Sequence, residues 1–212
     1  MLKKVFKSKD EKVDFDLNSI YLGHYNVTYR GISTPRAPFD YVIYQMIIHE
    51  IKPDLIIEIG TLNGGSAYYM SDLLELSGNG IIHTIDISNN HSPILNNNKR
   101  IEFYYKGWQG YDLKKASGFK KILVVDDGSH QFQETYDALI KFSPLVGVDS
   151  YYIVEDGIVD ALNTHHNLNG GPLKAIRKFL KENNNFRVER KWCDFFGNNA
   201  TFNVNGFLKR IK

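Results

Sequence analysis

Two pairs of acidic residues, each placed directly after four apolar residues, are the part of the sequence best suited to chemistry. The acids are Asp126, Asp127, Glu155 and Asp156. Short apolar runs bounded by glycine are typical of buried parallel strands. Ligands of an open α/β sheet bind beyond the carboxyl ends of its strands, and neighbouring strands lie about 4.8 Å apart. If the two strands are neighbours, the acids that follow them meet at one edge of the sheet.

Asp127, Glu155 and Asp156 form a predicted site for a hard divalent cation, because crowded carboxylates repel one another unless a cation lies between them. All three offer oxygen ligands, and no thiolate or paired imidazole accompanies them, so Mg²⁺ fits better than Zn²⁺. The alternative is that these acids cap helices, a common use of aspartate that is also open to Asp126. His130, three residues after Asp127, is either a base that accepts a proton near neutral pH or a packed histidine.

A glycine-containing turn between the first predicted strand and its helix indicates where a cofactor binds. Its candidate binding residues are Glu58, Gly60, Thr61, Gly64, Gly65 and Ser66. Gly60 permits a tight turn, and Gly64 and Gly65 let a ligand approach the helix N-terminus, whose free N–H groups favour an anionic group. Asp86 ends the second strand, where a carboxylate can accept hydrogen bonds from both ribose hydroxyls.

The spacing of these glycines differs from the G-x-G-x-x-G fingerprint of dinucleotide sites, which argues against a pyrophosphate cofactor. A turn of this kind with a strand-terminal acid suits a nucleoside cofactor with a short tail, such as S-adenosylmethionine. The alternative is a turn that only joins strand to helix, with Asp86 capping a local segment. Glu58, the glycines and Asp86 together favour the cofactor site.

Strand-like and helix-like segments alternate along the chain and predict the scaffold that positions these residues. Strands are expected at 54–60, 80–86, 101–105, 122–126 and 151–155, and helices at 40–50, 66–76, 133–142 and from 171 onward. Such alternation is typical of an α/β fold with a doubly wound, mostly parallel, Rossmann-like sheet. Segments 186–190 and 202–204 alternate apolar and polar residues with no room for a helix between them, so we expect a C-terminal antiparallel strand pair.

Two motifs, Asp127-Gly128-Ser129-His130 and Val154-Glu155-Asp156, carry a specific family resemblance. Further matching stretches lie at 29–32, 38–40, 52–60, 64–66, 143–146, 171–176, 179–180 and 205–210. With these motifs the chain resembles class I S-adenosylmethionine-dependent methyltransferases of the cephalosporin hydroxylase group, and the related metal-dependent macrolide-sugar O-methyltransferases. The resemblance runs from about residue 29 to the end. The glycine-rich turn is common to many methyltransferases, so the two acidic motifs carry most of the specificity.

The resemblance implies a methyltransferase that uses S-adenosylmethionine and Mg²⁺. Carried over by position, the metal ligands are Asp127, Glu155 and Asp156, and the catalytic base is His130, acting beside Asp127. We expect an Mg²⁺-dependent O-methyltransferase whose acceptor is a hydroxyl of a sugar or a similar polyhydroxylated small molecule. Despite the word hydroxylase in the family name, the resemblance does not imply hydroxylase activity for this chain. Residues 163–169, with His165 and His166, lack a clear match; they form either a lid or an exposed loop.

Two other functions are alternatives to this expectation. An oxidoreductase or hydroxylase is disfavoured by the absent dinucleotide fingerprint and by the lack of two histidines placed for a facial triad. A non-catalytic protein that binds a nucleoside is disfavoured because it would have no need of the acids and His130.

Length and composition predict one methyltransferase domain over residues 29–212, preceded by an arm or cover at 1–28. The 26 basic and 24 acidic residues nearly balance, so no nucleic acid or membrane partner is expected. The basic first residues lack the apolar core of a signal peptide, and the single Cys193 excludes an internal disulfide. Both features fit a cytoplasmic protein. Aromatic residues in the arm leave a homo-oligomer open.

Overall fold

The computed structural model describes residues 15–212, and a seven-stranded sheet forms its centre. The strands, including two that form a separate hairpin, are β1 (Thr28–Tyr29), β2 (Ile32–Ser33), β3 (Leu55–Ile59), β4 (Ile81–Ile85), β5 (Ile101–Tyr104), β6 (Ile122–Asp126), β7 (Tyr151–Val154), β8 (Phe186–Val188) and β9 (Phe207–Arg210). The sheet order is β5-β4-β3-β6-β7-β9-β8. Strands β3 to β7 are parallel, and β9 runs antiparallel to both neighbours. The predicted fold class is confirmed.

Helices cover both faces of this sheet. They are α1 (Leu17–His24), α2 (Pro38–Ile51), α3 (Gly65–Ser77), α4 (Gly107–Gly110), α5 (Phe132–Phe142), α6 (Gly171–Glu182) and α7 (Arg190–Cys193). Side chains of α2 and α3 pack on one face, and those of α5 and α6 on the other. All residues of β3 are buried as a result, which explains why its sequence is apolar on both faces except for Glu58.

Strands β6 and β7 are parallel neighbours, as the acidic clusters require. Val125 pairs with Ile153, and Asp126 pairs with Val154. The N–H of Glu155 then donates a hydrogen bond to the carbonyl of Asp126 over 2.9 Å. The acids that follow the two strands therefore leave the sheet side by side.

Strand β9 follows every other strand in the sequence, yet it lies inside the sheet. Leu208 pairs with Tyr152 of β7 on one side and with Val188 of β8 on the other. The predicted antiparallel partner at 202–204 is in the wrong place, because those residues form turns. The Thr201 hydroxyl and the Phe202 N–H donate hydrogen bonds to the buried carboxylate of Asp40, which holds the segment away from the sheet. The segment before it also contains α7, which the prediction omitted.

Two glycines allow loops to meet where a side chain would not fit. A Cβ on Gly60, whose φ is +97°, would lie 2.0 Å from the carbonyl oxygen of Asp127. A Cβ on Gly206 would lie 1.9 Å from the carbonyl oxygen of Val154. The contact at Gly60 brings the turn after β3 directly against the loop that carries Asp127.

Helix α1 belongs to the predicted N-terminal arm, of which residues 15–28 are described and residues 1–14 lie outside the described part. Leu17, Ile20 and Tyr21 pack with Ile158 and Phe202 at the rim of the sheet's carboxyl end. Within residues 15–212, no helix is both long enough and apolar enough to span a membrane.

Candidate functional site

Asp127, His130 and Asp156 converge beyond the carboxyl ends of β6 and β7. One possible ligand atom from each lies within 4.8 Å of the others. The backbones of His130 and Asp156 are left-handed, with φ of 56° and 55°. This conformation is uncommon for residues other than glycine, although aspartate and histidine adopt it more often than most. The sharp turn at Asp156 lets consecutive acids after β7 face the same region, which a continuing strand would prevent.

The charges in this cluster are close and only partly solvated. His130 Nε2 lies 3.3 Å from Asp156 Oδ2 and 3.8 Å from Asp127 Oδ1. Desolvation, and then the charge of Asp156, raise the pKa of Asp127 to about 8. A carboxylate that is hard to ionise beside a second one is an environment that a cation stabilises. The carboxylate oxygens of Asp127 and Asp156 fit a hard divalent metal ion.

Glu155, the third predicted ligand, is buried and held by two other residues. Its Oε1 forms an ion pair with Arg36 Nη2 at 2.6 Å and accepts a hydrogen bond from the Tyr44 hydroxyl over 2.5 Å. Desolvation and the nearby Asp127 raise the pKa of Glu155 above its ordinary range, although Arg36 opposes them. Among residues 15–212, the ion-pair and hydrogen-bond partners of Glu155 all contact Oε1, and Glu155 is not part of the 4.8 Å group formed by Asp127, His130 and Asp156. Its role as a metal ligand stays a prediction.

Arg36 is the residue that the sequence analysis missed. Its side chain is 2% exposed, and the guanidinium lies 4.3 Å above the centre of the Tyr44 ring. Nη2 also reaches Asp127 Oδ2 at 3.6 Å and Ser66 Oγ at 2.9 Å. Desolvation disfavours its charge, but Glu155 and other nearby acidic groups raise the pKa of Arg36 well above the ordinary value. One feature of the sequence could have pointed to such a residue: three adjacent acids need a positive counter-charge.

Asp126 takes no part in this cluster. It is buried at the end of β6, where the Tyr152 hydroxyl donates a hydrogen bond to Oδ2 over 3.1 Å. Desolvation raises the pKa of Asp126 to about 6. The structure thus places one acid of the first pair in the core and the other in the cluster.

Asp86 stabilises the turn after β3 through backbone hydrogen bonds. Its Oδ2 accepts from the N–H groups of Thr61 and Leu62, both at 3.0 Å. Its Oδ1 accepts from Ile87 N at 2.7 Å and from Ser88 N and Oγ. Although partial burial opposes ionisation, these donors lower the pKa of Asp86. The structure therefore gives Asp86 a role in shaping the turn, and contact with ribose stays a prediction.

The other predicted cofactor residues divide into two groups. Those that line the main cavity are Gly60, Thr61, Gly65 and Ser66. Glu58 is completely buried, and its Oε2 accepts a hydrogen bond from Thr84 Oγ1 over 2.6 Å. It lies beneath the turn, does not line the cavity, and is therefore placed to support Thr84 and Thr61.

Gly64 and Gly65 make room for protein atoms, and their predicted role in letting a ligand approach stays a prediction. A Cβ on Gly65 would lie 2.6 Å from the Thr34 side chain, and one on Gly64 would lie 2.4 Å from Leu95. Gly65 begins α3, so Thr34 and the cavity flank the same helix N-terminus. Gly64 does not line the cavity.

A single cavity of about 760 Å³ joins the turn to the acidic cluster. Its cofactor end is lined by Gly60, Thr61 and Asp86 together with Ile87 and Trp108. The other end is lined by residues of three segments: Tyr21, His24, Tyr25, Ile158, Leu162 and Asn167. Because β6 and β7 follow β3 in the sheet order, the acidic cluster adjoins the turn after β3 within this cavity.

The matching stretch at 29–32 lies away from the main cavity, because Tyr29 and Arg30 both bind Asp72 of α3 and neither lines that cavity. His165 and His166 also lie outside its lining, but the loop that carries them contacts the region after β6. Gln131 Nε2 donates to the carbonyl of Asn167, at 3.4 Å. Asn167 and Leu168 of the same loop line the cavity.

Comparison with a protein family agrees with this geometry. The family model described as "Rhamnosyl O-methyltransferase/CmcI" matches residues 22–106 and 109–211. The match covers both the turn after β3 and the two acidic motifs. It also includes part of α1, which the sequence resemblance had left outside the domain.

Curated relatives are rhamnosyl O-methyltransferases of mycobacteria. The protein from Mycobacterium tuberculosis (strain ATCC 25618 / H37Rv) is 26% identical over 86% of this chain and 78% of its own length. The protein from Mycobacterium leprae (strain TN) is 25% identical over 90% of this chain and 87% of its own length.

Solved structures share the fold at low sequence identity. CmcI with SAH (S-adenosylhomocysteine) has a TM-score of 0.70 at 18% identity and covers 100% of this chain and 96% of that one. CmcI with Mg and SAM (S-adenosylmethionine) has a TM-score of 0.68 at 18% identity, covering 100% and 88%. MycE methyltransferase from the mycinamycin biosynthetic pathway, with Mg, SAH and mycinamycin VI, has a TM-score of 0.51 at 17% identity, covering 68% and 42%.

Proposed function

Because the chain belongs to the rhamnosyl O-methyltransferase/CmcI family, we propose that it moves a methyl group from S-adenosylmethionine to a hydroxyl of a sugar or similar polyhydroxylated small molecule, with Mg²⁺ bound. The observation that carries the proposal is the single cavity that joins the turn after β3 to the acidic cluster. A transfer between two bound molecules requires both to reach one point, and this cavity is lined by both the turn and the acids.

Asp127 and Asp156 are the residues that would hold Mg²⁺, together with Glu155 through Oε2. Their oxygen donors suit this ion better than a softer metal. When bound, Mg²⁺ would supply Lewis-acid stabilisation of negative charge on an acceptor oxygen. Arg36 keeps Glu155 oriented through Oε1 and reduces the cluster's three negative charges to two, which a divalent ion would neutralise.

His130 is the proposed base. Its Nε2 faces Asp156 and Asp127, at 3.3 and 3.8 Å, and the ring lines the cavity. Nε2 would take the hydroxyl proton as the oxygen gains the methyl group. This assignment gives Asp127 a second role beside metal binding, because it orients and stabilises the histidine.

The turn after β3 would bind S-adenosylmethionine. Thr61 and Asp86 line the cavity where the ribose is expected, and Ile87 and Trp108 provide apolar surface for the adenine. Gly65 and Ser66 lie at the N-terminus of α3, where free N–H groups suit the carboxylate of the cofactor. These residues act by positioning: they set the direction from which the methyl group faces the acids.

The experiment is methyl transfer by the purified chain from methyl-labelled S-adenosylmethionine to a panel of methyl pyranosides with vicinal hydroxyls. The product should carry the labelled methyl group. It should not form in the presence of EDTA, and it should form again once Mg²⁺ is restored. Calorimetry with S-adenosylhomocysteine measures cofactor binding separately. Failure to bind S-adenosylhomocysteine would reject the methyltransferase, and transfer that persists in EDTA would reject the metal.

A further inference from the structure

The end of the cavity opposite the cofactor turn has an aromatic wall formed by α1. Tyr21, His24 and Tyr25 line this end, and Ile158 and Leu162 line it from another segment. This combination of ring faces, aliphatic groups and a few hydroxyls suits a small ligand with both apolar and polar surfaces.

The rings of α1 form one connected group. The ring centres of Tyr21 and His24 are 4.9 Å apart, and those of His24 and Tyr25 are 4.0 Å apart. The hydroxyls of Tyr21 and Tyr25 share a hydrogen bond of 2.8 Å. The three side chains thus form a continuous surface.

This surface is fixed to the fold even though it comes from an eight-residue helix. His24 is 8% exposed and packs edge-on against Phe202 at 5.2 Å. Asp16 caps the helix by accepting from the Ser19 N–H over 3.0 Å. Tyr25, by contrast, is 54% exposed, so its ring retains free surface for a ligand.

The aromatic surface and the acidic cluster border the same cavity. Tyr21 and Tyr25 line it together with Asp127, His130 and Asp156. A ligand lying on the ring of Tyr21 would present its near edge to Asp156 and His130.

We propose that Tyr21, His24 and Tyr25 form the acceptor-binding surface, on which a pyranose ring rests by its C–H face while its hydroxyl edge points to Asp127 and Asp156. The inference rests on the proposed function and adds the acceptor's place and orientation. Aromatic rings provide large apolar contact at low entropic cost, and tyrosine adds a hydroxyl for the sugar's oxygens. Ile158 and Leu162 would then face the less polar side of the acceptor.

Saturation-transfer NMR with methyl α-L-rhamnopyranoside tests the site on the full chain with Mg²⁺ and S-adenosylhomocysteine bound. Tyr21→Ala should weaken glycoside binding about tenfold, because it removes the ring. Tyr21→Phe, which keeps the ring, should stay within about twofold of wild type. Leu22→Ala is the matched control, since Leu22 lies on the same helix and is 67% exposed.

The outcomes separate the two proposals. Unchanged S-adenosylhomocysteine affinity in all three variants, with weaker glycoside binding in Tyr21→Ala alone, supports the acceptor surface. Glycoside binding by Tyr21→Ala equal to wild type overturns it, as does a wild type that binds S-adenosylhomocysteine but no glycoside. A wild type that binds neither molecule overturns the proposed function and this inference with it.

Discussion

The turn after β3 and the acidic cluster beyond β6 and β7 share one cavity, but they manage negative charge in opposite ways. At the turn, the protein's own N–H groups surround Asp86 and lower its pKa. In the cluster, desolvation and like charge raise the pKa of Asp127 to about 8, and Arg36 is the buried counter-charge beside it. The carboxylate of the first region is satisfied by the protein itself, whereas a further cation would stabilise those of the second. Binding and chemistry should therefore respond separately to mutation.

Asp127→Asn is expected to have the largest effect and tests this separation directly. Loss of the carboxylate removes a proposed metal ligand and the partner of His130, so turnover should fall more than about 10³-fold. Affinity for S-adenosylhomocysteine, measured by calorimetry, should change little. Asp149→Asn is the matched control, because the Asp149 side chain is 79% exposed. A parallel loss of cofactor affinity would show that the two regions are not independent.

Arg36→Met tests whether one cation balances the acidic cluster. Removing a partner of a buried ion pair leaves Glu155 without its counter-charge, so the free energy of unfolding should fall by about 3 kcal/mol. Urea unfolding of the metal-free protein measures this change. Arg177→Met provides the comparison, since Arg177 is 71% exposed and lies 3.8 Å from Asp160. Equal stability of the two variants would contradict the role given to Arg36.

Asp40 provides a test by pH. Its carboxyl group is buried beside the acidic cluster, and desolvation raises the pKa of Asp40 from 3.8 to about 6. The folded protein keeps this proton over a pH range in which the unfolded chain has released it. The contribution of Asp40 to the free energy of unfolding should therefore fall by about 2 kcal/mol as pH rises from 4 to 6, and level off above that. Asp40→Asn should lack this component. Identical pH profiles for both proteins would refute the assignment.

Asp86→Asn is expected to have the smallest effect, and it perturbs the turn after β3. An amide nitrogen cannot accept from the N–H groups of Thr61 and Leu62, so the turn loses part of its support. Affinity for S-adenosylhomocysteine should fall about tenfold, while Mg²⁺ affinity should not change. Asp112→Asn is the control, because Asp112 also accepts from a backbone N–H, that of Lys114, but does not line the cavity. Weakened Mg²⁺ binding in Asp86→Asn would contradict the independence of the turn and the acidic cluster.

The regular pattern of the chain allowed most of the scaffold to be predicted. Apolar runs such as 122–125 and 151–154 identify parallel strands, and acids placed after them identify the functional edge. The family resemblance read from those motifs is confirmed by the family model, and the protein is a methyltransferase. The C-terminal strand was misplaced because 202–204 also alternates, and its actual fate depends on the distant Asp40.

The contacts between distant segments could not be predicted from local patterns. Arg36 lies between two prolines in an irregular stretch, where nothing in the sequence indicates burial against Glu155. The roles of Gly64 and Gly65 depend on Leu95 and Thr34, which approach from other elements. The part played by α1 at the cavity was equally hidden, since its aromatic residues resemble those of any surface helix.

The position of β9 has a consequence for the order in which the protein matures during synthesis. Domains fold as their segments leave the ribosome, and this strand emerges after β7 and β8, between which it must insert. Until then, β7 exposes an unpaired edge to the translation machinery and to other nascent chains. Gly206 also has to reach Val154 before the loop of Glu155 and Asp156 takes its final path. The acidic cluster should thus be the last part of the enzyme to take its final form, after the turn that follows β3.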